Sequence, residues 1–211
     1  MTKHAEGQTH RQPFVLATAN RDKVREFMEI LSGFPFRILT MREAGFDGEI
    51  EENGSTFEEN ALIKAKAVHA KTGGYVCADD SGLSIDALGG APGIYSARFA
   101  GEHAGYPEKI ARLWEMLKDV DPLQWDASFH CAIAVCRPDG TCFTARGECR
   151  GRILPEMRGN NGFGYDPVFY VPAFGLTTAE MDPAQKHAIS HRGLALRQMV
   201  EILGREYGLS V

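Results

Sequence analysis

Apolar residues near the start of the chain occur in two patterns, a short continuous run and a stripe with helical spacing. The run at residues 14–17, Phe-Val-Leu-Ala, is typical of a strand buried in a sheet. The next apolar positions recur at intervals of three and four residues, at Val24, Phe27, Met28 and Leu31. Asn20 stands between the two patterns, where its side chain suits a helix N-cap. The segment therefore predicts a strand, a turn and a helix.

Similar signals continue through the rest of the chain. Thr56-Phe57-Glu58-Glu59 has the pattern of a capping box and begins an alanine-rich helix that ends at Gly73-Gly74. Apolar runs predict further strands at residues 37–39, 75–78, 127–136, 141–149 and 168–171. Helical stripes predict one helix that contains Ile110 and ends near Asp119, and another from about Ser190 onward. The turn residues at 137–140, Arg-Pro-Asp-Gly, predict a hairpin. We expect an α/β fold with a mixed sheet flanked by helices.

Two adjacent carboxylates, Asp79 and Asp80, follow the apolar run that ends at Ala78. We expect the strand to end there and the next residues, which include Ser81 and Gly82, to form a turn. Open α/β sheets bind ligands beyond the carboxyl ends of their strands, so this position suits a metal site or a general base. An ordinary solvated turn is the alternative, because Asp and Ser are common turn residues.

A second candidate site is the segment between the first strand and the first helix, Thr18-Ala19-Asn20-Arg21-Asp22-Lys23. Free backbone N–H groups, a hydroxyl group and the Lys23 ammonium group would converge there on an anion, as in a phosphate cradle. It is not a P-loop, because the pattern G-x-x-x-x-G-K-[ST] is absent from the chain. The alternative is a capped helix with a solvated lysine.

Acidic residues at 49–52 add further oxygen ligands to the aspartate pair. No His or Cys residues cluster at zinc spacing, so Mg²⁺ is the ion that these ligands favour. Glu51 and Glu52 are its candidate ligands together with Asp79 and Asp80. An acidic loop in solvent is the alternative.

Two segments near the C-terminus combine aromatic rings with charges. Phe163-Gly164-Tyr165-Asp166 places rings in a glycine-rich loop, where a ring can stack on a nucleobase. Lys186, His191 and Arg192 precede or begin the last predicted helix, where the helix dipole disfavours cations in the absence of an anionic ligand. Arg192 is suited to donate to phosphate or to a purine oxygen. Packing at a core edge for the rings, and solvation for the cations, are the alternatives.

Composition narrows the range of functions. A chain of 211 residues suits one large domain or two closely joined lobes, and its net charge of −5 argues against a nucleic-acid-binding surface. No apolar run is long enough for a membrane span. We expect residues 1–12 to be a loose tail ahead of one domain over 13–211. The five cysteines lack metal or redox spacing, so we predict that they are reduced in a cytoplasmic protein.

Four motifs, taken in order, closely resemble those of the inosine triphosphate pyrophosphatase family, the Ham1-like or RdgB-like enzymes. They are Thr18-Ala19-Asn20-Arg21-Asp22-Lys23, Ala78-Asp79-Asp80-Ser81-Gly82-Leu83, Gly162-Phe163-Gly164-Tyr165-Asp166-Pro167 and Ser190-His191-Arg192. The similarity extends from about Phe14 to the C-terminus. The ordered set is much more specific than any one of its members.

The resemblance implies an elongated, two-lobed α/β homodimer with a long mixed sheet. It also implies Mg²⁺-dependent hydrolysis of purine nucleoside triphosphates with non-standard bases (ITP, dITP and XTP) to the monophosphate and pyrophosphate. Asp80 would be the general base and a metal ligand, and one of the pair Glu51 and Glu52 would complete the metal site, with the choice left open. Ser81 would contact substrate, and residues 18–23 would hold phosphate. The nucleotide pocket would be formed by Phe163, Gly164, Tyr165, Asp166, Lys186, His191 and Arg192. A Maf-like nucleotide pyrophosphatase and a nucleotide-binding sensor without catalysis are the alternatives.

Overall fold

The computed structural model describes residues 11–101 and 103–207, and over these residues it contains seven β-strands and five α-helices. The strands are β1 (Pro13–Leu16), β2 (Arg37–Thr40), β3 (Tyr75–Ile85), β4 (Asp126–Cys136), β5 (Cys142–Ile153), β6 (Phe169–Val171) and β7 (Leu176–Thr177). The helices are α1 (Arg21–Ile30), α2 (Phe57–Thr72), α3 (Tyr106–Leu117), α4 (Pro183–Ile189) and α5 (His191–Tyr207).

All seven of these strands belong to one sheet, in the order β2-β1-β3-β4-β5-β6-β7. β1 pairs in parallel with both β2 and β3, whereas β5, β6 and β7 pair antiparallel to one another. The parallel strands are connected by helices, as parallel pairing requires, whereas β6 and β7 are joined by a short turn and β5 and β6 by the longer segment 154–168. The prediction of an α/β fold with a mixed sheet is confirmed.

The chain divides into two compact units, and β3, β4, β5 and α5 contribute residues to both. The first unit contains the described residues up to Asp80, Ala132–Ala145 and the described residues from Met199 onward. Small side chains dominate one of its core clusters, with Ala61, Ala65 and Val68 of α2 packed with Val15, Val76, Ala78, Ala132 and Ala134 of the strands. Small side chains allow a helix backbone to approach a sheet closely, so polar residues on the inner face of α2 can reach β3.

The second unit contains Ser81–Cys131 and Arg146–Gln198. Its core is built from larger side chains: Ile110, Leu113 and Leu117 of α3 belong to a cluster with Leu83, Ile85, Phe129, Tyr165 and Phe169. This cluster lies beneath the glycine-rich segment that contains Phe163, because Tyr165 and Val168 anchor it on the core.

The predicted turn after Ala78 is wrong, because β3 continues without interruption to Ile85. Asp79 and Asp80 are both buried within the strand, and each carboxylate has a lysine partner. Those ion pairs remove much of the penalty for burying a carboxylate. Beyond them, Leu83 and Ile85 are fully buried on alternate positions, which is the pattern of a strand.

One helix was not predicted. α4 precedes α5, and its N-cap Asp182 exchanges hydrogen bonds with Gln185 while Pro183 occupies the first turn. These are ordinary start signals that the sequence does contain. Lys186 therefore lies in the last turn of α4, where the helix dipole favours a cation, and the predicted location at a helix N-terminus is wrong for this residue.

Two smaller expectations also fail. Met28 of the α1 stripe is 45% exposed, whereas Phe27 and Leu31 are buried. Cys136 and Cys142 form a disulfide, with Cα atoms 4.1 Å apart, because the β4–β5 turn brings the two strand ends together. Cys77, Cys131 and Cys149 are buried and do not belong to a disulfide, as expected.

Residues 1–10 of the predicted tail lie outside the described residues, and the carbonyl of Gln12 accepts a hydrogen bond from Arg37 N, 2.9 Å away. Gln12, which the sequence placed in the tail, is thus bound to the first residue of β2. Within the described residues, no helix has the length and apolar character needed to cross a membrane.

Candidate active site

Asp79 and Asp80 project to opposite faces of β3, as consecutive residues of a strand must. Asp79 Oδ2 lies 3.0 Å from Nζ of Lys23, on α1. Asp80 Oδ1 lies 3.2 Å from Nζ of Lys64, on α2, and its Oδ2 accepts a 3.2 Å hydrogen bond from Asn60 Nδ2. Asp79 therefore orients Lys23 of α1, while Asp80 is held by two side chains of α2.

Lys64 and Asn60 lie one turn apart on the buried face of α2, and both connect β3 to the acidic loop that precedes the helix. Lys64 Nζ also donates to Glu52 Oε2 at 2.8 Å, and Asn60 Oδ1 accepts from Gly54 N at 2.8 Å. Both residues are buried, and the sequence interpretation missed them. The spacing of Asn60 and Lys64 could have indicated that they are buried. They are four residues apart, and each directly precedes one of the buried alanines Ala61 and Ala65.

In the carboxylate–lysine cluster, defined here as Glu52, Lys64, Asp79, Asp80 and Lys23, the pKa values of Asp80 and Lys64 are shifted. Burial raises the pKa of Asp80 above its ordinary value, and the ammonium groups of Lys64 and Lys23 oppose this effect in part. Burial alone would lower the pKa of Lys64, but the carboxylates of Asp80, Asp79 and Glu52 outweigh it, so the pKa of Lys64 is raised. Lys64 is thus a cation at neutral pH, while Asp80 is a stronger base than an exposed aspartate.

The two predicted glutamates differ in their surroundings. Glu52 is half-buried and shares Lys64 with Asp80, whereas Glu51 is exposed. Of the two glutamates, Glu52 therefore shares its lysine partner with Asp80, and the identity of the metal ligand stays a prediction.

The segment before α1 forms a well-ordered cap. Asn20 Oδ1 accepts from the N–H groups of Asp22 (2.9 Å) and Lys23 (3.1 Å), and Thr18 Oγ1 accepts from Asn20 N at 3.2 Å. The expectation that these backbone N–H groups are free is wrong for Asp22 and Lys23, because the cap already binds them. Ala19 and Arg21 are exposed, and Asp22 pairs with Arg25 at 2.9 Å. The Lys23 side chain is the cation that this segment contributes.

In the second unit, Asp166 holds the loop Gly162–Asp166, termed the aromatic loop below. Its Oδ2 accepts from Phe163 N at 2.8 Å and from Lys186 Nζ at 2.6 Å, and its Oδ1 accepts from Thr178 Oγ1 at 2.8 Å. Gly162 has a φ of +73°, and a Cβ atom at this position would lie 2.1 Å from Asp166 Oδ2. Only glycine allows the loop to fold this tightly over the carboxylate.

Two cations surround the ring of Phe163. Lys186 Nζ lies 5.3 Å and the Arg192 guanidinium carbon 5.7 Å from the ring centroid, within the range of cation–π contacts. Arg192 also donates from Nη2 to the hydroxyl group of Ser81, at 2.9 Å. Arg192 begins α5 and Ser81 follows Asp80 in β3, so the chain links this group covalently to the carboxylate–lysine cluster.

The remaining predicted pocket residues have packing contacts. Tyr165 is 4% exposed, and its hydroxyl group donates to the carbonyl of Ser96 at 3.2 Å. The ring of His191 stacks on Phe129 at 4.7 Å, and Gly164 faces the ring of Tyr106. Their roles in substrate binding stay predictions.

Comparison of the chain with known protein families gives a match over most of its length. A family model described as the Ham1 family matches residues 14–202. The chain belongs to the Ham1 family. The resemblance seen in its four motifs is thereby confirmed.

Relatives within this family are similar over almost their whole length. A dITP/XTP pyrophosphatase of Desulforamulus reducens is 48% identical over 92% of this chain and 96% of its own, and one of Bacillus licheniformis is 45% identical over 90% and 96%. The solved structure of a HAM1 protein from Coxiella burnetii has a TM-score of 0.84 at 44% identity and covers 92% of this chain and 99% of its own. The alternative of a Maf-like enzyme is not favoured.

Proposed function

We propose that this chain hydrolyses purine nucleoside triphosphates with non-standard bases (ITP, dITP and XTP) to the monophosphate and pyrophosphate, and so removes them from the nucleotide pool. The relatives named dITP/XTP pyrophosphatases support the substrate class. The observation that carries the proposal is the pair Asp80-Ser81: Asp80 belongs to the carboxylate–lysine cluster and Ser81 is bound by Arg192, which also faces Phe163. Of these two consecutive residues of β3, Asp80 thus belongs to a group suited to phosphate and Ser81 to a group suited to a nucleobase.

Formation of pyrophosphate requires water to attack the α-phosphorus, so a base must align and deprotonate that water. Asp80 suits this role, because burial raises its pKa towards the neutral range while Asn60 and Lys64 fix both of its oxygens. Lys23 is held by Asp79 and supplies positive charge for the phosphates.

We also propose that the activity depends on Mg²⁺. The described residues contain no group of three or more His, Cys, Asp or Glu side chains arranged to hold a metal. Mg²⁺, however, commonly binds one or two carboxylates and completes its shell with water and substrate phosphates, and this fits the chemistry of Asp80 and Glu52. These two residues would hold the ion, with Glu51 outside the site. When bound, the ion neutralises charge on the phosphate oxygens.

The aromatic loop and its cations suit recognition of the base. Phe163 offers a ring for stacking, and Arg192 is a donor that matches the 6-oxo group of hypoxanthine and xanthine. Adenine presents an amino group at that position, so a site built from donors leaves unpaired groups against it. Asp166 then acts by holding Lys186 and the Phe163 backbone in place.

One experiment tests the proposal. The purified protein is incubated with Mg²⁺ and, separately, with ITP, dITP, XTP, GTP and dATP, and the products are separated and quantified. We expect IMP and pyrophosphate from ITP, and much slower turnover of dATP. GTP shares the 6-oxo group, so the slower turnover expected for GTP requires exclusion of its 2-amino group. Orthophosphate as the first product would contradict the mechanism, and tight ITP binding without turnover across Mg²⁺ concentrations would identify a sensor instead.

The homodimer that the resemblance implies and the cytoplasmic location inferred from the cysteines stay predictions. Light scattering coupled to size-exclusion chromatography measures the mass in solution and tests the first. We expect twice the mass of the chain.

A further inference from the structure

Lys109 of α3 is a buried lysine outside the carboxylate–lysine cluster. It is 5% exposed, and none of the ion pairs formed within the described chain includes it. Its Nζ donates to the carbonyl of Ala97 at 2.5 Å and lies 4.9 Å from the centroid of Tyr106. Burial lowers the pKa of Lys109. Burial of an ammonium group without a carboxylate partner costs free energy, so we expect the contacts of Lys109 to have a structural role.

Tyr106, one turn before Lys109, contacts the aromatic loop. A Cβ atom on Gly164 would lie 3.4 Å from Tyr106 Cε1, and the ring packs edge-to-face against Tyr165 at 5.4 Å and 85°. Lys109 thus fixes the ring on which the middle of the aromatic loop rests.

The turn at residues 96–97, which contains Ala97, also binds the aromatic loop. The carbonyls of Ser96 and Ala97 accept from different elements, the first from the Tyr165 hydroxyl group and the second from Lys109. The Ser96 hydroxyl group accepts from Leu83 N at 2.9 Å, two residues beyond Ser81 on β3. A closed set of contacts therefore joins β3, the turn at residues 96–97, α3 and the aromatic loop, and Ser81 and Phe163 flank it.

We infer that Lys109 and Tyr106 are positioning residues for base recognition, which set the place of Phe163 relative to Ser81 through the turn at residues 96–97. This rests on the proposed function. Lys109 does not touch the nucleotide, and it acts by holding Tyr106 and Ala97, against which the aromatic loop packs.

The test compares Lys109→Met, Lys109→Arg and Tyr165→Phe with the control Lys118→Met, an exposed lysine at the end of the same helix. The measurements are KM and kcat for ITP, the inhibition constants of IMP and of pyrophosphate, and the thermal midpoint. We expect KM for ITP and the inhibition constant of IMP to rise about fivefold in Lys109→Met and Tyr165→Phe. This is the effect expected for the loss of one net hydrogen bond. The pyrophosphate constant should not change, because pyrophosphate lacks a base.

The arginine variant keeps a cation that can donate to Ala97 and lie over Tyr106, so it should retain most of the wild-type affinity for IMP. Equal changes in the IMP and pyrophosphate constants, or no change in either, would overturn the inference. If Lys109→Met does not fold, Tyr165→Phe is the deciding variant. It removes only the hydroxyl group that binds the aromatic loop to the turn at residues 96–97. A wild-type protein that does not turn over ITP would instead refute the proposed function.

Discussion

The two units of the chain surround their charged side chains with different partners. In the first unit, two lysines (Lys23 and Lys64) lie among three carboxylates (Glu52, Asp79 and Asp80), and the contacts are direct ion pairs. In the second unit, two cations (Lys186 and Arg192) face the ring of Phe163, and one carboxylate, Asp166, binds Lys186.

This difference separates two kinds of chemistry. An excess of carboxylate with ordered lysines suits a bound cation, charged phosphates and proton transfer. An aromatic face with an excess of positive charge suits a neutral, planar base that carries oxygen acceptors. Substitutions in the first unit should therefore change the chemical step, and substitutions in the second should change the binding of the base.

The largest effect is expected for Asp80→Asn. The amide keeps the shape but cannot accept a proton, so kcat for ITP should fall about 10²- to 10⁴-fold, with little change in IMP inhibition. Steady-state kinetics with pyrophosphate detection measures this. Asp86→Asn is the matched control, since Asp86 is exposed near the end of β3 and pairs with Arg150. Near-normal turnover in Asp80→Asn would remove this residue from the role of base.

A second large effect is expected for Lys64→Met, which leaves Asp80 and Glu52 without their shared cation. The free energy of unfolding should fall by about 3 kcal/mol. Burial raises the pKa of Asp80 and Lys64 opposes this, so the variant should raise that pKa further. Because a general base must be deprotonated, the acid limb of the rate profile should move to higher pH.

The pH dependence of kcat, normalised to its maximum, measures this displacement independently of the folded fraction. Lys66→Met, an exposed lysine on the same helix, should leave the profile unchanged. An acid limb that stays in place or moves to lower pH would show that Lys64 does not tune Asp80.

A smaller effect is expected for Phe163→Ala in the second unit. Loss of base stacking, about 1–3 kcal/mol, should raise KM for ITP about 5- to 150-fold, while kcat and pyrophosphate inhibition change little. Phe174→Ala, at an exposed phenylalanine, is the control. A fall in kcat at constant KM would show that the division of labour between the units is wrong.

Local patterns in the sequence determined much of the fold. Strand β1, the Asn20 cap, and the starts of α1 and α2 followed from periodicity and capping, because these depend on residues within one or two turns. The signals for α4 were also local, and Asp182, Pro183 and Gln185 would have been enough to predict it. The motifs around Lys23, Asp80 and Phe163 also indicated the family, through their order rather than their contacts.

Tertiary structure alone decided which charges meet. Asn60 and Asp80 are 20 residues apart, and Arg192 and Ser81 are 111 apart, so no local pattern pairs them. The same long-range ion pairs explain why β3 continues through two aspartates that resemble a turn in sequence. Lys23 and Lys64 offset the free-energy cost of burying the two carboxylates in a strand. The sequence thus determined where charged groups stand in the chain, and packing of helices on the sheet determined which of them share a site.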